Sequence, residues 1–153
     1  MTREEKYMEH ALKLARECLL DGDVPVGALI VYNDKIIGEG KNSIEKTGNS
    51  LAHAEIIAIN NAIDNIGYKH LLNCEIYVTL EPCSMCAGAI VLARIPKLII
   101  GTMDTKTGAC GSILNITSNE KLNHQCEIVS GILQNECSII LKDFFKELRK
   151  KHE

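Results

Sequence analysis

Apolar positions change between helical and strand spacing along the chain. In residues 3–20 they recur every three or four positions, which predicts an amphipathic helix. Residues 24–31 and 35–40 are strand-like, and Asn33-Asp34 between them suits a hairpin turn. The same criteria predict further strands at 75–80, 97–101 and 126–129, and further helices at 51–63, 83–93 and from 136 onward. Because strands alternate with helices, we predict an α/β sandwich.

Two polar segments, 41–50 and 102–112, interrupt this pattern and predict loops. Asn49 or Ser50 is suited to cap the helix that follows the first loop, and Pro82 is suited to the first position of a later helix. These boundaries place His53 and Glu55 in the first turn of one helix. They place Cys83 and Cys86 in the first turn of another.

Length and composition predict one globular domain, residues 1–153, with 46% hydrophobic and 24% charged residues. The net charge of −3 disfavours general polyanion binding and confines any nucleic-acid contact to one face. Seven cysteines accompany a charged start that does not resemble a signal peptide. We therefore expect a soluble cytoplasmic protein with reduced thiols. No apolar run is long enough for a membrane span.

Four side chains in two short motifs could form one catalytic metal site. In Pro82-Cys83-Ser84-Met85-Cys86 the thiols are three residues apart on one helix face, and a helix N-terminus favours thiolates. His53 supplies a third ligand, which leaves a fourth position for water, as in catalytic zinc sites. Glu55 could then take the proton of that water and pass it to a substrate.

Cysteines at this spacing also occur in sites of different kinds. A lone C-x-x-C could be a redox dithiol, half of a structural zinc site or two core cysteines, but His53, Glu55 and Pro82 in order favour catalytic zinc. Phe144 and Phe145 are expected in the core more than in base stacking. The apolar context of four further cysteines also predicts core positions, and Cys110 is undecided. These four are Cys18, Cys74, Cys126 and Cys137.

The motifs resemble those of the cytidine-deaminase-like superfamily and, within it, of bacterial tRNA-specific adenosine deaminases. The similarity runs from about residue 5 to 148 and is carried by segments 23–28, 52–55, 80–89, 104–109 and 131–137. It implies a three-layer α/β/α sandwich with a five-stranded mixed sheet, and a homodimer. It also implies hydrolytic conversion of adenosine to inosine at the wobble position of a tRNA anticodon stem-loop.

The resemblance also assigns roles to residues. It implies that His53, Cys83 and Cys86 bind one Zn²⁺ per subunit and that Glu55 shuttles protons. Asn42 is expected to contact the target nucleoside, although it could instead only cap a loop, and the Ala54 backbone is expected to meet the base. Contacts to flanking nucleotides are expected from four residues. These are Asp104, Lys106, Phe145 and Arg149.

Two rival functions stay open at this stage. The nearer one is deamination of a free base or nucleoside, such as guanine, cytosine or cytidine, by the same zinc and glutamate. The other is a non-enzymatic binding module stabilised by structural zinc, in which protein ligands would fill all four positions.

Overall fold

The computed structural model describes residues 1–152 and contains five strands. They are β1 (Gly27–Tyr32), β2 (Lys35–Lys41), β3 (Glu75–Leu80), β4 (Lys97–Thr102) and β5 (Glu127–Ser130). The strands form one sheet in the order β2-β1-β3-β4-β5. Strand β1 pairs antiparallel with β2 and β3, whereas β3 with β4 and β4 with β5 are parallel pairs. The predicted five-stranded mixed sheet is confirmed.

Helices cover both faces of this sheet. They are α1 (Arg3–Glu17), α2 (Ile44–Thr47), α3 (Ala54–Ile66), α4 (Ser84–Leu92) and α5 (Gln134–Lys151). Successive strand residues point to opposite faces, so β1 contributes Ala28 and Ile30 to the core beneath α3 and α4. Its Leu29 and Val31 pack on the other face with residues of α1 and α5. The result is the three-layer α/β/α sandwich that the resemblance implies.

Helix α3 lies unusually close to strand β2. A Cβ atom on Gly40 would overlap the carbonyl oxygen of Ala54, and one on Gly38 would overlap that of Ala58. Ala54, Ala58 and Ala62 are fully buried on this side of the helix. Glycine facing alanine therefore lets the helix backbone rest directly on the strand, which fixes the place where α3 begins.

The segment predicted as a loop at 41–50 contains the short helix α2. The carboxylate of Asp23, 2% exposed, accepts hydrogen bonds from the backbone N–H groups of Glu45 at 2.7 Å and Lys46 at 3.3 Å. These are donors that the first turn of a helix leaves unsatisfied. Local sequence could not indicate the helix because the residue that caps it is 22 positions away.

The residues predicted to begin or cap two helices are wrong. Helix α3 begins at Ala54, three residues after the predicted start at residue 51. Its N-cap residue is His53, so neither Asn49 nor Ser50 caps it. Pro82 precedes α4 instead of opening it, because Cys83 is the N-cap residue there. Within residues 1–152, no helix is long and apolar enough to cross a lipid bilayer.

Candidate active site

The N-termini of α3 and α4 converge, and this brings three candidate metal ligands together. His53 is the N-cap residue of α3 and Cys83 that of α4, while Cys86 lies in the first turn of α4. The Nδ1 atom of His53 is 3.6 Å from Sγ of Cys83 and 3.5 Å from Sγ of Cys86. All three ligand atoms lie within 4.8 Å of one another.

These separations fit one tetrahedral metal ion. Zinc binds sulfur at about 2.3 Å and nitrogen at about 2.0 Å, so a sulfur and a nitrogen on the same tetrahedral ion are roughly 3.5 Å apart. Both measured distances agree with that value. Two thiols and an imidazole are also a donor set typical of zinc. The three residues could therefore hold a metal ion without rearrangement.

The electrostatics of the two thiols favour a thiolate at this site. The hydrogen bond with Cys86 lowers the pKa of Cys83 to about 5, and backbone N–H groups of α4 act in the same direction. That hydrogen bond and burial raise the pKa of Cys86. The pair therefore carries a negative charge at Cys83 near neutral pH, next to the positive end of the helix dipole.

Glu55 lies in the first turn of α3, two residues after His53, and is only 4% exposed. Burial raises the pKa of its carboxyl to about 7, and the nearby charge of Cys83 acts in the same direction. A carboxyl group with a pKa near neutrality can both accept and donate a proton. Its placement suits a proton shuttle beside the candidate metal site.

Asn42 caps the start of helix α3, whereas the sequence offered the capping of a loop as the alternative to substrate contact. Its side-chain oxygen Oδ1 accepts a hydrogen bond from the backbone N–H of Ala54 at 2.9 Å, at the start of α3. Ala54 is fully buried and its N–H is taken, so the predicted contact between its backbone and a base stays a prediction. Asn42 also lines the cavity that contains His53 and Glu55, so a role toward substrate stays a prediction as well.

Two adjoining cavities lead to these residues. The inner one, about 200 Å³, is lined by Asn42, His53, Glu55 and Cys83. The outer one is a groove of about 670 Å³. Val24, Leu80, Asp104 and Thr107 line both. The inner cavity is small compared with typical ligand pockets of about 300–1,000 Å³, whereas the groove has room for a longer ligand.

All four residues predicted to contact flanking nucleotides line the outer groove. They are Asp104, Lys106, Phe145 and Arg149. Phe145 is 41% exposed, so the expectation that it belongs to the core is wrong. Lys142 also lines the groove and was missed. Lys142 lies three positions before Phe145 and seven before Arg149, and residues at this spacing share one face of a helix. This spacing could have identified Lys142 as a groove residue.

The remaining cysteines are structural. Cys18, Cys74, Cys126 and Cys137 are buried, as predicted, and Cys110, which the sequence left undecided, is 3% exposed. Burial raises the pKa of Cys110 to about 12, so this thiol stays protonated at neutral pH. None of these five lies in the group of ligand atoms around His53, as far as residues 1–152 are concerned.

Sequence reasoning also gave no role to Glu81, the residue before Pro82 and Cys83. Glu81 is 2% exposed and lines the inner cavity beside His53 and Cys83. Its carboxylate accepts hydrogen bonds from the loop that carries Asp104. A glutamate next to a C-x-x-C motif is not by itself a signal, and its partners lie 23 to 31 residues further along the chain.

The fold and the site together define a deaminase. Residues 2–149 match the sequence profile of MafB19-like deaminases, and the chain belongs to this family. The tRNA-specific adenosine deaminase of Bacillus subtilis (strain 168) is 46% identical over 151 residues, which cover 99% of this chain and 94% of that protein. The resemblance stated from the sequence motifs is confirmed.

Solved structures agree. One, from studies of A-to-I editing by tRNA:A34 deaminases at the wobble position of transfer RNA, matches with a TM-score of 0.85 and 38% identity, covering 89% of this chain and 99% of that one. The guanine deaminase of Bacillus subtilis matches with a TM-score of 0.63 and 37% identity, over 66% of this chain and 65% of that one.

The capping role of Asn42 can be tested by substitution. Asn42→Ala leaves the buried N–H of Ala54 without an acceptor, and we expect the free energy of unfolding to fall by about 1–2 kcal/mol. Asn42→Asp keeps an acceptor at the helix N-terminus and is expected to stay near the wild type. Urea denaturation at equal metal content measures both, with the exposed Asn123→Ala as control. Equal losses in the Ala and Asp variants would contradict the capping role.

Proposed function

We propose that this protein hydrolytically deaminates adenosine to inosine at the wobble position of a tRNA anticodon. The observation that carries the proposal is the arrangement of His53, Cys83 and Cys86 around one point, with Glu55 buried in the inner cavity that adjoins the outer groove. The full-length similarity to a tRNA-specific adenosine deaminase supports the choice of substrate.

The outer groove supports a polynucleotide substrate over a free base. A free base needs only the inner cavity of about 200 Å³. The groove adds three cationic side chains, Lys106, Lys142 and Arg149, and the exposed ring of Phe145. Cations suit phosphates and an aromatic ring suits an unstacked base. The likeness to the guanine deaminase of Bacillus subtilis covers a smaller part of both chains than the likeness to the tRNA:A34 deaminase structure, and it supports the rival less.

We propose that His53, Cys83 and Cys86 hold one Zn²⁺ per chain. When bound, zinc supplies a Lewis acid that makes water a nucleophile at neutral pH. Because only three protein ligands are brought together, an ion held there would have room for water as a further ligand, which favours a catalytic over a structural site. The place of Cys83 and Cys86 at the N-terminus of α4 favours the thiolate form that metal binding requires.

Glu55 carries the protons of the reaction in this proposal. It accepts a proton from the water that attacks C6 of adenine and delivers it to ring nitrogen N1. It then carries the remaining hydroxyl proton to the amino group, which leaves as ammonia when the C6–N bond breaks. A pKa near 7 lets one carboxyl group perform both directions of transfer.

In this proposal the inner cavity receives the target base, and the groove contacts the nucleotides on either side of it. A base in an anticodon loop is already partly unstacked, so its entry into the inner cavity costs less than extrusion from a duplex. We propose that Asn42 contacts the target nucleoside through its amide nitrogen, because Oδ1 is engaged by Ala54. Asp104, Lys106, Phe145 and Arg149 contact the flanking nucleotides.

We further propose a homodimer that works in the cytoplasm as one domain per chain. Helix α4 is largely apolar, and its Met85, Gly88 and Leu92 are only partly covered, with Leu92 77% exposed. Such a face is typical of a buried interface. All seven cysteines are free thiols, which suits a reducing compartment.

Removal of one proposed ligand tests the metal site. His53→Ala should lower zinc affinity by more than roughly 100-fold, because loss of an outer partner alone costs about 10- to 100-fold. Metal analysis after dialysis against a weak chelator should show about one zinc per wild-type chain and almost none in the variant. Cys18→Ala, a buried thiol outside the site, is the control and should retain zinc. Zinc retained by His53→Ala would contradict the assignment.

The proposed activity is tested with an anticodon stem-loop that carries adenosine at the wobble position. We expect inosine in the RNA, detected by nucleoside digestion and mass spectrometry, and no turnover of free adenosine, cytidine or guanine. Glu55→Gln keeps the size of the side chain but cannot shuttle protons, so the rate should fall by at least about 100-fold. The exposed Glu127→Gln should behave as wild type.

Different results of this assay would favour the rivals. Turnover of a free base without editing of the RNA would keep the chemistry and replace the substrate. Inactivity toward every substrate, with zinc still bound, would favour a structural metal site.

The proposed dimer interface is tested by placing a charge on α4. Leu92→Lys should shift the mass in solution from twice 16.9 kDa to one chain mass, as measured by light scattering after size-exclusion chromatography. Leu20→Lys changes a leucine that is 88% exposed and lies outside α4, and it should leave the dimer intact. A dimeric Leu92→Lys variant would place the interface elsewhere, and a monomeric wild type would refute the dimer.

A further inference from the structure

Glu81 holds a buried carboxylate at the centre of one loop, residues 104–112. Its Oε1 accepts a hydrogen bond from the N–H of Asp104 at 2.9 Å and another from the Ser112 hydroxyl. Its Oε2 accepts from the N–H groups of Cys110 at 2.9 Å and Ser112 at 3.1 Å. In the described part of the chain no Lys, Arg or His forms an ion pair with it. These four donors therefore compensate the burial of the charge.

The backbone of the same loop is also tied to the segment that carries Glu81. The N–H of Ala109 donates to the carbonyl of Pro82 at 2.9 Å, and the N–H of Glu81 donates at 2.9 Å to the carbonyl of Thr102, which ends β4 just before the loop. Gly108 approaches so closely that a Cβ there would overlap the Glu81 carboxylate. The loop thus surrounds the residue that lies two positions before the proposed ligand Cys83.

The hydrogen bonds continue from Glu81 to the wall of the groove. Asp104, whose N–H binds Glu81, accepts hydrogen bonds from the N–H groups of Lys106 and Thr107 and from the Thr107 hydroxyl. Burial opposes ionisation of Asp104, but these bonds outweigh it and lower its pKa. Asp104, Lys106 and Thr107 line the outer groove. The position of this wall relative to the metal ligands therefore depends on Glu81.

We propose that Glu81 is a positioning residue for RNA recognition: it sets the distance between the metal site and the groove wall that contacts a nucleotide beside the target adenosine. The inference rests on the proposed function. Glu81→Gln keeps the shape of the side chain but presents an NH₂ group to backbone N–H donors, so at least one of the four hydrogen bonds is lost. The metal ligands do not bond to Glu81, so zinc content should be unchanged.

A first measurement needs no RNA. Amide hydrogen exchange should be about tenfold or more faster at Asp104, Cys110 and Ser112 in zinc-loaded Glu81→Gln than in the wild type. The exposed Glu120→Gln is the matched control and should show no change. Ser112→Ala removes only the hydroxyl donor and keeps the three backbone N–H donors, so it should give a smaller increase. Unchanged exchange at these amides in Glu81→Gln would overturn the proposal.

A second measurement separates positioning from a general loss of stability. We expect KM for the stem-loop to rise about tenfold in Glu81→Gln while kcat changes less than about twofold, because the reacting groups are intact. Each flanking nucleotide of the target is then made abasic in turn. Where the wall contacts that nucleotide, the abasic change should raise KM about tenfold for the wild type and less than about twofold for Glu81→Gln.

The outcomes distinguish this inference from the function on which it rests. The positioning role would be overturned if Glu81→Gln and the abasic change raised KM independently of each other at both flanking positions. A fall in kcat with KM unchanged in Glu81→Gln would also overturn it. Coupling at one or both positions would support it. Absence of inosine with the wild-type enzyme would refute the proposed function itself and the role of Glu81 with it.

Discussion

The convergence of two helix N-termini is the constraint on which the site depends. Helix α3 follows strand β2, α4 follows β3, and β1 lies between these strands in the sheet. Both helices pack on the same face, so residues 30 positions apart, His53 and Cys83, become neighbours. Each stands at the N-cap position, where unpaired backbone N–H groups favour negative charge. A thiolate and a metal ligand set are thereby accommodated without a Lys or Arg among the described residues that line the inner cavity.

The parts of the molecule that could be predicted from sequence are those set by local spacing. Strand β3 lies at Glu75–Leu80, as its β-branched and aromatic residues predict. The two short motifs likewise placed the ligand candidates and Glu55 at helix starts, because the spacing of residues on one helix turn is fixed by helix geometry. The start of α3 was misplaced because its cap acceptor is Asn42, 12 positions before Ala54.

Phe145 shows a different limit of sequence patterns. Cys137 and Leu141 are the buried residues of α5, and Phe144, three positions after Leu141, is only partly buried. Phe145 is one position further round the helix and falls at the edge of the groove, where it is 41% exposed. An apolar periodicity identifies a helix face, but whether its edge meets the core or an open groove depends on the neighbouring elements. For the same reason, the contacts of Glu81 could be found only in the folded chain.

The close contact between α3 and β2 has a consequence for how such an enzyme could be diversified. Gly38 and Gly40 admit no side chain, and the alanines of α3 leave no volume to exchange, so this contact cannot be repacked by compensating substitutions. By contrast, Lys106, Lys142 and Phe145 end in the groove, where a change of side chain need not move the backbone. In directed evolution, substitutions that change substrate preference should accumulate among the residues that line the groove. The contact between β2 and α3, the helix that carries Glu55, should remain unchanged.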